Sequence, residues 1–390
     1  MIKNIIDKLR PSFEKGGKFG ALHSVFEGFE SFLLVSNQTS KIGVSIHDAI
    51  DSKRIMSFVV IALLPALLFG MYNIGYWNYV QAGQPNAGIW PMFLYGFACM
   101  LPKIIVSYAV GLGIEFVVAQ WKNEEIQEGY LVTGLLIPMI IPVETPLWMI
   151  AVAVAFSVIL AKEIYGGTGM NIFNPALVAR AFLFFAYPSK MTGDSIWIAK
   201  DSIFGLGNDL TTDAMTMATP LSQAGSEMPI TTDFCHMVSG LMPGSIGETS
   251  VIAIAIGAAI LLWTRIASWK TMLSVFVGGA LVAYLFNISG IDTPIAQLPW
   301  YEHLVLGGFC FGAVFMATDP VTSSRTETGK YIYGFLIGAL AITIRVLNPG
   351  FPEGMMLAIL FMNMFAPLID YFVVENNINK RKRRLKNANQ

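Results

Sequence analysis

At 390 residues, 54% hydrophobic and 13% charged, with a mean hydropathy of +0.59, the chain carries about half the charge fraction of a soluble domain and is expected to lie mostly in a membrane. Its net charge of −1 points to no nucleic-acid partner, and none is expected. Cys99, Cys235 and Cys310 have no C-x-x-C pairing and the four histidines no ligand spacing, which argues against a self-contained metal or iron–sulfur site. No G-x-G-x-x-G follows a strand pattern, so no nicotinamide site is expected in this chain.

Residues 1–54 are mixed polar and amphipathic, without the apolar core of a signal peptide. Within them Leu22, Phe26, Phe29 and Leu33 share one helical face. A membrane-surface helix and a wall of a quinone site both fit that face. Apolar segments follow at roughly 55–74, 91–119, 130–142, 146–164, 174–188, 249–264, 270–288, 303–318, 331–347 and 354–374. Against the usual ~20-residue span, these predict about ten membrane segments. Two are short: 130–142 ends at Pro142, and 303–318 runs into Asp319-Pro320.

Orientation follows from the basic ends. The tail at 376–390 carries Lys380, Arg381, Lys382, Arg383, Arg384 and Lys386, and the N-terminal side carries Lys3, Lys8, Arg10, Lys15, Lys18, Lys53 and Arg54. Both termini are therefore expected in the cytoplasm, consistent with an even number of spans. The long polar loop at 189–247 then lies outside. From Tyr187 to Gly247 it holds six acidic residues and two basic ones (−6 + 2 = −4), and scarce Lys and Arg suit an external loop.

That loop contains Asp213-Ala214-Met215-Thr216-Met217-Ala218-Thr219-Pro220. The run resembles the D-x-x-[ST]-x-A-T signature at which periplasmic flavin transferases attach FMN to threonine, here through a phosphoester on Thr219. Asp213, Thr216 and Ala218 are the motif positions around the acceptor. Ala218 leaves the approach open, and Pro220 is expected to keep the segment from closing into a regular helix. Taken alone, the run also reads as an ordinary loop.

The two halves resemble each other. Asn174-Pro175 opens a segment ending in Phe185-Ala186 before Pro188, and Asn348-Pro349 opens one ending in Phe365-Ala366-Pro367. Upstream, Pro142 to Pro146 matches Thr318 to Thr322 in position. Interrupted segments at corresponding places in two repeats point to a midplane site. Five spans per half would make the repeats inverted.

Long runs then identify a family. Lys162-Glu163-Ile164-Tyr165-Gly166-Gly167-Thr168-Gly169, Asn174-Pro175-Ala176-Leu177, Arg180 to Pro188, Gly247-Glu248-Thr249-Ser250, Thr264 to Trp269, Phe315 to Val321 and Phe351 to Met356 resemble the B subunit of the sodium-translocating NADH:quinone oxidoreductase over nearly the whole chain. The resemblance implies an all-α integral membrane protein with a urea-transporter-like fold of two inverted five-helix repeats, in residues 55–188 and 248–375. It also implies covalent FMN on the loop threonine, riboflavin, a quinone site, coupling to Na+ export, five partner subunits and the bacterial inner membrane. Met217 departs from the Ser-Gly-Ala-Thr of many members and adds bulk beside the acceptor. The D subunit of the Rnf-type ferredoxin:NAD oxidoreductase is a related alternative, and a stand-alone channel or transporter of the same fold another.

Charged residues in or near apolar segments are functional candidates by default. Lys103, Glu115, Arg180, Glu302 and Arg345 fall in this class, with Glu144 and Asp319 at the breaks. Arg180 could hold a flavin phosphate or ring carbonyl, or staple the repeats together. Glu128, Gly129 and Tyr130 are the expected quinone site, because a glycine lets a ring approach the backbone; a plain loop-to-helix junction fits them as well. Glu144 and Asp319 are the expected ion path, on breaks expected to face each other near the pseudo-symmetry axis. Asp319 also suits a helix cap ahead of Pro320.

Overall fold

The computed structural model describes residues 52–122, 129–193, 196–210, 218–226, 228, 230, 232–291, 293–348 and 353–388, with isolated positions in the first thirty. The first half comprises α1 (Ser52–Gln81), α2 (Ile89–Lys122), α3 (Tyr130–Ile140), α4 (Leu147–Ser157), which continues as a π-helical turn over Val158–Glu163, and α5 (Pro175–Ala186). Besides a single helical turn at Pro188–Met191, two short helices, α6 (Pro220–Gly225) and α7 (Phe234–Ser239), lie in the long connection. The second half comprises α8 (Val251–Trp263), α9 (Trp269–Ser289), α10 (Trp300–Val305), α11 (Phe309–Phe311), which passes into a π-helical Gly312–Met316, α12 (Glu327–Leu347) and α13 (Met355–Ala388).

Each of the ten apolar segments coincides with helix. Among the described residues five helices are long and apolar enough to cross a membrane: α1, α2, α9, α12 and α13. Helices α3, α5 and α8 are apolar but shorter. Several helices begin on local polar caps. Asn174 accepts the Ala176 N–H at 3.0 Å with Pro175 as the first helical residue, and Thr326 accepts the Gly329 N–H at 3.2 Å. Ser250 and Ser268 cap α8 and α9 in the same way.

Some helix pairings match between the halves. Helix α2 packs on α4 and α4 on α5; in the second half α9 packs on α12 and α12 on α13. The halves meet where α1 touches α8 and α5 touches α13. Small residues make the long crossings possible. A Cβ on Gly75 would lie 1.8 Å from the Met92 carbonyl oxygen, and one on Gly96 1.8 Å from that of Met71, so α1 and α2 touch backbone to backbone. Helices α9 and α12 do the same through Gly278 and Gly338. Gly75→Val or Gly96→Val is expected to separate α1 from α2 at a cost of at least about 1–3 kcal/mol. The yield of monodisperse protein in detergent should fall sharply, and an unchanged yield would contradict this packing.

Candidate functional site

A cavity of about 230 Å³ brings together residues that the sequence keeps far apart: Thr219 and Ser222 from α6, Arg180 and Phe184 from α5, Trp197, Glu248 and Glu353. Thr219 is half-buried on its wall. Its hydroxyl oxygen accepts the Ser222 N–H at 3.1 Å, so the residue is the N-cap of α6, and Pro220 is the first residue of that helix. The expectation that Pro220 keeps the segment from closing into a helix is corrected: proline at the first helical position costs no hydrogen bond and begins a helix here. Ala218 is buried next to it. Asp213 and Thr216 lie outside the described residues, as do Met217 and Glu128.

Arg180 is 4% exposed. One guanidinium nitrogen meets Glu248 at 2.6 Å, and the other pairs with Glu353. Both carboxylates come from second-half loops, so the arginine of α5 ties the halves together at the floor of the cavity that Thr219 borders. Stapling and facing the cavity are thus one arrangement. Arg345 is also buried, but its nitrogens go to the carbonyls of His303 at 2.6 Å and Leu306 at 3.0 Å. It ties α12 to the turn before α11.

A second cavity, of about 90 Å³, is lined by Gly129, Lys162, Thr168, Asn171, Asn174 and Asp319 together with apolar residues. The expected quinone residue Gly129 and the expected ion residue Asp319 therefore share one pocket. Tyr130 does not join them. It is fully buried against α2, where its hydroxyl donates to the Ser107 carbonyl at 3.0 Å and its ring fills the space over Gly111. Asp319 accepts from Asn174 Nδ2 at 3.3 Å, the Val321 N–H at 3.0 Å and the Thr322 hydroxyl at 3.0 Å. It closes a turn and caps no helix, since α12 starts at Glu327 under the Thr326 cap.

Glu144 is elsewhere. Its carboxylate accepts the Lys200 N–H at 3.2 Å, and its own N–H donates to the Ile196 carbonyl at 3.2 Å, beyond the C-terminal end of α3. Asp319 shares the pocket of Gly129, at the N-terminal end of α3. Eleven helical residues, ~16 Å, separate those ends. The expectation that the two breaks face each other is thus corrected: they occupy opposite ends of the short helix. Of the remaining charges, Glu115 pairs with Lys162 inside the protein, Lys103 donates to the Val143 carbonyl, and Glu302 is half-buried.

A chain of long and short apolar helices, paired breaks and buried ion pairs defines a multi-pass, all-helical membrane protein. The profile of the NQR2, RnfD, RnfE family matches residues 39–379, and the chain belongs to that family. The B subunit of the Na(+)-translocating NADH-quinone reductase of Chromohalobacter salexigens is 45% identical over 404 residues, covering 98% of this chain and 96% of its own. The protein of that name from Azotobacter vinelandii is 43% identical, covering 98% of each chain, and that from Stutzerimonas stutzeri 42%, covering 97% and 98%.

Proposed function

We propose that this chain is the membrane-embedded B subunit of a Na+-translocating NADH-quinone reductase, working with the other subunits of that complex in a bacterial membrane. Support comes from relatives of that name aligned almost end to end. The observation that carries the flavin reading is the cavity joining Thr219 to Arg180. FMN would be held as a phosphoester on Thr219. The cavity offers what such a group needs: aromatic and apolar walls in Phe184, Trp197 and Met242, and polar partners in Arg180, Ser222 and Ser245. When bound, the flavin supplies the one- and two-electron chemistry, and the protein supplies position and charge. Riboflavin is proposed as a further cofactor on the family resemblance, without assigned residues.

The architecture is read as two inverted repeats, 55–188 and 248–375. The N-terminal region 1–54 and the basic tail 376–390 would be cytoplasmic and the loop 189–247 external. The matched packing of α2 on α4 and of α9 on α12 supports the repeats. The pocket at Gly129 and Asp319 would be a quinone and ion site on the cytoplasmic side, with Glu144 near the outer end of the path.

Membranes lacking this chain should lose Na+-stimulated NADH:quinone reductase activity and regain it with the chain restored; activity without it would end the reading. In the restored membranes Asp319→Asn should weaken the apparent Na+ affinity. An unchanged affinity and rate would leave Asp319 only its turn. At Gly129, a Cβ would lie 2.4 Å from Thr168 Cγ2. Gly129→Ala should therefore lower quinone turnover both by crowding Thr168 and by closing the pocket. A Gly129→Ala variant with full turnover and wild-type inhibitor sensitivity would remove Gly129 from the quinone site.

A further inference from the structure

Residues 199–210 form a narrow hairpin outside the cavities described so far. Ile203 and Leu206 exchange both backbone hydrogen bonds at 2.9 Å, Leu210 N–H reaches the Lys200 carbonyl at 2.8 Å, and Ser202 N–H donates to Asp209 at 2.7 Å. Buried side chains of α1 and α2 hold its base. Asn78 donates to the carbonyls of Ala199 and Asn208, both at 3.0 Å, and accepts the Asn208 N–H at 2.9 Å. Tyr79 accepts the Gly207 N–H at 3.2 Å, and Tyr95 donates to the Asp201 carbonyl at 2.7 Å. Gly207, at φ +76°, rests on the Tyr95 ring, where a Cβ would come within 2.2 Å. The hairpin is therefore a fixed projection.

Its tip is Phe204, at φ +51°, followed by Gly205 at φ +76°. Two consecutive left-handed residues are the requirement of a tight two-residue hairpin turn, and Asn or Asp before Gly serves it best. Phenylalanine is a poor choice for that conformation. It is also 96% exposed, a poor place for an aromatic ring. Neither the turn nor the fold of this chain asks for Phe204.

We infer that the 199–210 hairpin is a docking finger, with Phe204 inserting into an apolar socket, rimmed by Lys or Arg, on another protein of the complex. A rigid, preorganised aromatic surrounded by polar residues is the usual anchor of a protein interface, since little entropy is lost when it binds. The exposed charges of the hairpin, which exclude the half-buried Lys200, specify the rim. Asp201 and Asp209 are exposed, and the Ser202 N–H holds the Asp209 carboxyl below the usual carboxylate range. Exposed carboxylates on the same hairpin disfavour insertion into a bilayer, where Trp and Tyr are the interfacial residues. The inference rests on the reading that this chain works inside a multi-subunit complex.

The test uses the intact complex. A photo-crosslinking phenylalanine analogue at position 204 should join this chain to one co-purifying subunit, at a site of apolar residues flanked by Lys or Arg. Phe204→Asn suits the turn better, so the variant chain should insert in the membrane at wild-type level. Its complex should lose the cross-linked subunit at a detergent or salt concentration at least tenfold below that tolerated by wild type. Cross-links to lipid alone or to no protein, or a Phe204→Asn complex as durable as wild type, would overturn the inference. Failure of the complex reading itself would look different: the chain would purify without companions.

Discussion

Arg180→Met is expected to be the most destabilising single substitution in the chain, by about 3–5 kcal/mol. The guanidinium is buried and answers two carboxylates, Glu248 and Glu353, from the other half of the molecule. Removing it leaves both near each other, with little water and without the cation that pairs them. Lysine should rescue only in part, because one compact ammonium cannot span two partners as a planar fork does. Replacing all three residues, Arg180→Met with Glu248→Gln and Glu353→Gln, should recover much of the loss, since neutral groups carry no such desolvation penalty. Thermal unfolding in detergent reads all of these. A midpoint unchanged in Arg180→Met, or a triple variant worse than the single, would rule out an ionised trio.

On the proposed attachment of FMN to Thr219, Thr219→Ala should have the largest chemical effect, the loss of covalently bound flavin from this chain. The fold should lose only about 1 kcal/mol, because the hydroxyl caps α6, a helix of six residues. Thr219→Ser should keep both the cap and the acceptor oxygen, so flavin returns together with stability. On a denaturing gel viewed under ultraviolet light, wild type and Thr219→Ser should fluoresce and Thr219→Ala should not. A fluorescent Thr219→Ala band would move the attachment elsewhere, with Thr216 the nearest alternative.

Much of this molecule is legible in its residues. Apolar runs of the right length mark the helices, because lipid leaves the backbone no other means of satisfying its polar groups. Asn174-Pro175 signals a helix start, and α5 begins there. Partnerships across long sequence separations are not legible. Glu248 and Glu353 stand 68 and 173 positions from Arg180, and no periodicity connects them. The one hint is that each carboxylate lies in a glycine-flanked run, Gly247-Glu248 and Glu353-Gly354. Lys162 stands in a recognisable motif, yet its pairing with Glu115 depends on how the π-helical turn after α4 meets α2. Tyr130 misleads because a tyrosine beside a glycine suits a pocket mouth and a helix interface equally. Only the seat over Gly111 decides between them. Pro220 misleads for a similar reason: proline ends a helix from inside and begins one from its first turn.

The flavin reading places the cofactor on Thr219, on the wall of the Arg180 cavity. Peptide mass spectrometry of the chain, isolated from an active complex produced together with its flavin transferase, tests this most directly. The peptide containing Thr219 should bear FMN in phosphoester linkage, with fragment ions assigning it to that hydroxyl. An unmodified Thr219 in a complex that still reduces quinone in a Na+-dependent manner would contradict it.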